Sequence, residues 1–258
     1  MINHPVGPSQ PQNAVVGNTV FPFGPGIYAA KMPDELIAKI MEHALSEARD
    51  DASMGLVGNI KREVWITNEF VEENLKEPLL ECVQSYLNEL SASGRVGPST
   101  PFAYNIMRHE QMKGKENAPQ GGVTTDCRIT NAWVNFTSPG PDFNPPHVHN
   151  ADLSCVLYLS VPDKMEVIHS DETQWKNNGK TTFLWGNPSP FCTSEFVIGK
   201  PQVGQLVLFP ANLLHFVMPY SNEKDEKRVT MSANFMLESQ LTQPPWQRKY
   251  DWELQNPR

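Results

Sequence analysis

The first third of the chain carries apolar residues at helical spacing. In KMPDELIAKIMEHALSEARD, Pro33 stands at a first helical position, acidic residues follow it, and apolar side chains then recur every three or four residues. A second stretch, from about Glu69 to Leu90, shows the same spacing, although Pro78 requires a break or a fresh start within it. The pattern predicts an amphipathic helix, followed by two helices or one interrupted helix.

From Phe102 onward the pattern changes to short apolar runs separated by Pro, Gly and Asn turns. The clearest runs are ITNAWVNF, LSCVLYLSV, GQLVLFP, HFVMPY and RVTMSANFML, and REVWIT between the helical stretches is similar. These runs are rich in Val, Ile, Phe, Tyr and Leu, which favour strands. We therefore predict a mainly β body with N-terminal helices on one side.

A chain of 258 residues of this composition fits one domain. Residues 1–26 are rich in Pro, Gly, Asn and Gln and are predicted to be an extended arm. Residues 27–258 are predicted to form the domain. They divide into helical support over 27–100, a β core over 101–240 and a tail over 241–258.

Charge and cysteine spacing restrict the class of protein. The net charge is −8 and no run of Lys and Arg occurs, so a nucleic-acid partner is not expected, whereas a small molecule or a protein is. The four cysteines are far apart and fit reduced thiols. The chain shows neither a secretory leader nor about 18 successive apolar residues, which favours a cytoplasmic protein that does not cross a membrane.

Three histidines suggest a metal site. His147 and His149 form a His-x-His pair after NPP and before the strand LSCVLYLSV, and residues two apart in extended chain project to one face. His215, which opens HFVMPY, is the candidate third ligand. Each histidine alone also fits an ordinary surface or core position.

The run RVTMSANFML alternates between polar and apolar residues. Arg228, Thr230, Ser232 and Asn234 share one face, and the apolar residues share the other. If the apolar face packs on the body, the polar face lines a cavity, where Arg228 offers a guanidinium fork that matches a carboxylate. The alternative is a half-exposed strand with its polar face in water.

Three segments, taken in order, resemble the 2-oxoglutarate/iron(II) dioxygenase superfamily, in particular its bacterial and phage oxygenases. They are NPPHVHNADLSCVLYLSVP, GQLVLFPANLLHFVMPY and RVTMSANF. The resemblance covers roughly residues 126–237. It implies a double-stranded β-helix, a jelly roll of the cupin-like type. The implied activity is a non-haem iron(II) dioxygenase that uses 2-oxoglutarate and O₂ to oxidise, most simply to hydroxylate, a small molecule or a protein side chain.

The resemblance also implies roles for particular residues. His147 and His215 match the two histidine ligands of the superfamily. The residues that match the 2-oxoglutarate carboxylate site are Arg228, Thr230 and Tyr158.

The chain departs from the superfamily at the third ligand. The superfamily has His-x-Asp or His-x-Glu, and here His149 stands where the carboxylate is expected. We favour His149 as the third ligand, with Asp152 as the alternative if the turn folds back. A cupin-like metalloprotein that does not use 2-oxoglutarate, and a non-catalytic phage-associated structural or binding module, remain alternative interpretations.

Overall fold

Two antiparallel sheets and an N-terminal helical layer make up the described part of the chain. The computed structural model describes residues 17–22, 24–46, 55–93, 123–166, 177–186 and 194–241. The helices are α1 (Asp34–Ser46), α2 (Asn68–Phe70) and α3 (Lys76–Ala92), with a π-helical turn (Val71–Leu75) joining the last two. The strands are β1 (Gly17–Val20), β2 (Ile27–Lys31), β3 (Glu63–Trp65), β4 (Val123–Thr137), β5 (Asn144–His147), β6 (Leu153–Ser160), β7 (Thr181–Leu184), β8 (Glu195–Val197), β9 (Gln205–Pro210), β10 (Leu214–Val217) and β11 (Arg228–Leu241).

The strands form a large and a small sheet. The large sheet has the order β1-β2-β9-β6-β11-β4-β3, and the small sheet has the order β5-β10-β7-β8. Strands that are distant in sequence are neighbours in both sheets, as in a jelly roll. The fold is therefore the double-stranded β-helix that the family resemblance implies, with helices added at its N-terminal side.

Strand alternation gives the large sheet two different faces. One face carries the apolar residues of β4, β6 and β11, which pack with α1 and α3 into the main core. The other face turns toward the small sheet, where a second core contains Tyr158, Phe183 and Phe209. The helices thus cover one face, as predicted, and the opposite face is left to form a cavity.

The two prolines in the helical region act at helix ends. The carbonyl of Pro33 accepts hydrogen bonds from the backbone N–H groups of Leu36 and Ile37, so α1 begins at Asp34 and Pro33 precedes it. Pro78 lies in the first turn of α3, directly after the π-helical turn. Since proline cannot donate to the preceding turn and its ring crowds the carbonyl there, the wider π turn provides the interruption that the sequence requires.

The ends of the predicted regions are described only in part. Gly17–Val20, at the end of the predicted arm, pairs with β2 as the edge strand of the large sheet. Residues 242–258 of the predicted tail and residues 101–122 of the predicted β core lie outside the described residues. Among the described helices, none is long and apolar enough to cross a membrane.

Candidate metal centre and adjacent cavity

Two adjacent strands of the small sheet bring the three histidines together. His147 ends β5 and is the antiparallel Cα partner of His215 on β10, and His149 follows β5 by two residues. Directly opposed residues in an antiparallel pair have Cβ atoms about 5 Å apart. One ligand nitrogen from each ring lies within 4.8 Å of the other two. The structure therefore brings the three predicted histidines to one point.

Hydrogen bonds orient two of these rings. Nδ1 of His147 lies 2.7 Å from the carbonyl oxygen of Pro145, and Nδ1 of His215 lies 2.9 Å from that of Leu213. A carbonyl oxygen can only accept, so in each histidine Nδ1–H is the donor and Nε2 keeps its lone pair. This arrangement is the one that metal-binding histidines normally show.

Burial keeps the three imidazoles neutral. Burial lowers the pKa of His215 to about 3, and the neighbouring His147 contributes to this shift. Burial likewise lowers the pKa of His149 to about 4, again with a contribution from His147, and it lowers the pKa of His147. Metal ions bind the neutral form of imidazole, so these histidines are in the ligand state at neutral pH.

The separation of two of these nitrogens fits a divalent transition metal. Nε2 of His149 and Nε2 of His215 are 3.2 Å apart. With metal–nitrogen bonds of about 2.1 Å, two ligands at a right angle would be about 3 Å apart. Imidazole suits iron, zinc, copper and nickel, and three ligands on one side of an ion leave further coordination positions for other molecules.

A cavity of about 300 Å³ adjoins the histidines and lies against the inner face of the large sheet. All four polar residues of the alternating run RVTMSANFML, the first part of β11, line this cavity, as the sequence predicts if that run packs with its apolar face on the body. They are Arg228, Thr230, Ser232 and Asn234. The polar face of β11 is therefore turned into the cavity, and the alternative of a water-facing strand is wrong.

Arg228 is a buried cation at the wall of this cavity. Its side chain is 1% exposed, and its guanidinium carbon lies 5.1 Å from the centre of the Tyr158 ring. Nη2 donates to Oγ1 of Thr181 at 3.0 Å, whereas Nε is buried and has no hydrogen-bond partner in the part of the chain that the structure describes. Arg228 takes part in none of the ion pairs between described residues. A buried guanidinium of this kind is suited to an anionic ligand.

Thr181, Tyr158 and Arg228 are in contact, and we call these three residues the Arg228 cluster. Thr181 was not predicted from the sequence. Its hydroxyl lies 2.8 Å from the hydroxyl of Tyr158 and 3.0 Å from Nη2 of Arg228, so it links the two. Thr181 lines the cavity, and Tyr158 stands behind it, fully buried. A threonine that opens the strand TTFL is ordinary in sequence, and only the pairing of β7 with β10 brings it here.

Asp152, the alternative third ligand, lies outside the histidine cluster. Its Oδ2 accepts a hydrogen bond of 2.8 Å from the backbone N–H of Leu237, and its own N–H and carbonyl bond to Phe235 and Ala211. The turn therefore folds the Asp152 carboxylate onto β11. The cluster that converges on one point contains His149 instead.

The sequence matches a known family over the segment that forms this site. Residues 131–234 match the family described as "Putative 2OG-Fe(II) oxygenase". These residues include the three histidines and both Arg228 and Thr230. The match covers 104 of the 258 residues, so the part of the chain that forms the site is similar to this family. His149 stands where the pattern of that superfamily has a carboxylate, so the chain differs from the pattern at this position.

Several solved structures resemble the chain distantly. A prolyl-4-hydroxylase from Pseudomonas putida is 16% identical, with a TM-score of 0.40, over 81% of this chain and 91% of that one. A 2OG-Fe(II) oxygenase family oxidoreductase from Burkholderia pseudomallei is 11% identical, with a TM-score of 0.39, over 81% and 84%. The epimerase SnoN from nogalamycin biosynthesis is 14% identical, with a TM-score of 0.43, over 83% and 79%. No curated protein matches the sequence significantly.

Proposed function

We propose that this protein is a 2-oxoglutarate-dependent iron(II) dioxygenase that oxidises, most simply by hydroxylation, a small molecule or a protein side chain in the cytoplasm. The proposed iron ligands are His147, His149 and His215. Arg228 is proposed to bind the distal carboxylate of 2-oxoglutarate, with Thr230 beside it and Tyr158 behind it. A net charge of −8 disfavours a nucleic-acid substrate.

One observation supports this proposal above the cupin-like alternative: Arg228 is buried in the wall of the same cavity as the histidines and has no carboxylate partner among the described residues. A buried charge without a counter-ion destabilises a folded protein by roughly several kcal/mol. A metal-binding protein that needs no anionic cosubstrate would gain nothing from burying Arg228 without a counter-ion. A dicarboxylate that reaches from Arg228 to the metal would offset it.

His149 is the better third ligand of the two candidates. Its ring nitrogen lies 3.2 Å from that of His215, whereas the Asp152 carboxylate is engaged by the backbone of Leu237. Three neutral imidazoles leave the full charge of the metal uncompensated by the protein. We propose that the anionic cosubstrate supplies the first negative charge at this metal.

Iron(II), when bound with 2-oxoglutarate and O₂, would supply the oxidising chemistry, in which 2-oxoglutarate loses CO₂ and takes up one oxygen atom of O₂ to become succinate, and the other oxygen atom goes to the substrate. The chain's own residues do the rest. The histidines stay neutral and hold one side of the ion, and Arg228 orients the cosubstrate. The sheet faces that enclose the cavity exclude water from the reacting groups.

Calorimetry of the manganese-loaded protein tests the proposal. Wild-type protein should bind 2-oxoglutarate, and Arg228→Lys should weaken this binding at least tenfold, since Lys keeps the charge but loses the fork, while manganese affinity stays the same. Arg62→Lys is the matched control, because Arg62 is exposed and lies over the Phe136 ring, outside the cavity lining. Absence of 2-oxoglutarate binding to wild type at millimolar concentration would favour the cupin-like protein instead.

A further inference from the structure

His149 lacks the anchor that orients the other two histidines. His147 and His215 each donate from Nδ1 to the backbone carbonyl two residues earlier. In the described part of the chain, the ring of His149 has a hydrogen-bond contact only with Nε2 of His215. That nitrogen is needed for the metal under the proposed function, so no hydrogen bond from a described group remains to hold the His149 ring, which otherwise contacts the two ligand rings of His147 and His215, each with its centroid 5.0 Å away.

The indole of Trp133 lies beside this ring. The two ring centroids are 5.8 Å apart at an interplanar angle of 46°, and Trp133 is 5% exposed in the cavity wall. Trp133 stands on β4, in the large sheet, whereas His149 follows the last residue of β5 in the small sheet. The indole therefore forms a wall against the imidazole from the opposite side of the cavity.

Polar side chains in turn hold the indole. Nε1 of Trp133 donates to Oδ1 of Asn135 at 3.1 Å, and Nδ2 of Asn135 donates to Oγ of Ser232 at 3.4 Å. All three residues line the cavity, and Ser232 is the cross-strand partner of Trp133. The first bond fixes the indole rotamer, because a Trp N–H can only donate and its acceptor is itself buried.

We propose that Trp133 is a positioning residue for His149: it replaces, by aromatic packing, the Nδ1 hydrogen bond that the other two ligands have. The inference rests on the proposed function, since it requires His149 to bind the metal. A ligand ring held in its binding rotamer loses less entropy when the metal binds. Outer-shell partners of metal ligands change metal affinity by about 10- to 100-fold when they are removed.

Cobalt(II) binding to four proteins tests this inference: wild type, Trp133→Phe, His149→Ala and the double variant. Phe keeps an aromatic ring but lacks the Nε1–H anchor and the larger indole surface. Trp133→Phe should raise the cobalt Kd by about tenfold or more and change the cobalt absorption spectrum, which reports the ligand geometry. In the His149→Ala background the same substitution should change neither, because the residue through which it acts is gone.

Two further variants separate positioning from a general loss of stability. Asn135→Ala leaves the indole in place but removes its acceptor, so it should weaken cobalt binding in the same direction and to a smaller extent. Tyr86→Phe is the matched control: it removes a buried hydrogen bond of 3.0 Å to the Gly26 carbonyl on the helical side of the large sheet. It should lower the free energy of unfolding and leave cobalt affinity unchanged.

Three results would overturn the inference in distinguishable ways. Wild-type cobalt affinity in Trp133→Phe would show that Trp133 does not position a ligand. A loss of equal size with and without His149 would show that Trp133 acts through the fold. If His149→Ala itself binds cobalt as wild type does, the proposed ligand set fails, and the role of Trp133 fails with it.

Discussion

Thr181→Val should disturb the Arg228 cluster more than the same substitution at a neighbouring threonine does. Val has nearly the same shape as Thr and lacks the hydroxyl. In the structure that hydroxyl bonds both Tyr158 (2.8 Å) and Nη2 of Arg228 (3.0 Å), and all three side chains are at most 1% exposed. The substitution therefore leaves two buried polar groups without their partner.

The magnitude follows from the two bonds. A neutral hydrogen bond contributes about 1 kcal/mol to stability, and one to a charged group about 1.5 to 3 kcal/mol. Thr181→Val should therefore lower the free energy of unfolding by about 2.5 to 4 kcal/mol. Because Thr181 also orients the guanidinium, the Kd for 2-oxoglutarate should rise about tenfold, which corresponds to about 1.4 kcal/mol. Urea denaturation measures the first effect and calorimetry the second.

Thr182→Val is the matched control. Thr182 is the next residue of β7 and is fully buried, but its hydroxyl has no hydrogen-bond partner among the residues that the structure describes. Removing an unsatisfied buried hydroxyl should leave stability unchanged or raise it slightly. Equal stabilities of the two variants would refute the assignment of the Thr181 hydroxyl as the link between Tyr158 and Arg228.

Two further predictions concern the histidines. His149→Ala should weaken manganese binding strongly, whereas Asp152→Asn, which keeps an acceptor for the Leu237 N–H, should bind manganese as wild type does; calorimetry that gives the reverse order would transfer the ligand role to Asp152. The metal-free protein should lose stability as the pH falls below about 6.5, because the pKa values of about 3 for His215 and about 4 for His149 lie below that of unfolded histidine, so the unfolded chain binds more protons. Each such histidine contributes up to about 1.4 kcal/mol per pH unit to the change in the free energy of unfolding. His215→Gln should therefore flatten the pH dependence of the free energy of unfolding, measured by urea denaturation between pH 7.5 and 5.5. An unchanged slope would contradict this.

Much of the site could be predicted because strand periodicity is local. The alternation along β11 predicts from the sequence alone that Arg228 and Thr230 share one face. In the structure both residues line the cavity. The spacing of His147 and His149 is likewise a property of a few consecutive residues. His215 was a candidate because it opens the apolar run HFVMPY, and the family resemblance then matched it to a ligand; it lies 66 positions beyond His149, and no local rule links the two.

The contacts that were missed depend on the pairing of distant strands. Thr181 meets Arg228 because β7 lies in the small sheet opposite β11, and Trp133 meets His149 because β4 and β5 face each other across the cavity. Neither residue type suggests a role by itself. The choice between His149 and Asp152 was open for the same reason: it depended on whether the turn points the carboxylate toward the metal or toward Leu237.

A crystal structure of the manganese-loaded protein with 2-oxoglutarate tests the central claim most directly. We expect one metal ion bound by the ring nitrogens of His147, His149 and His215. One carboxylate of 2-oxoglutarate should lie on the Arg228 guanidinium, and its keto-acid end should lie on the metal. A metal bound by other residues, or an Arg228 guanidinium that 2-oxoglutarate does not touch, would contradict the account.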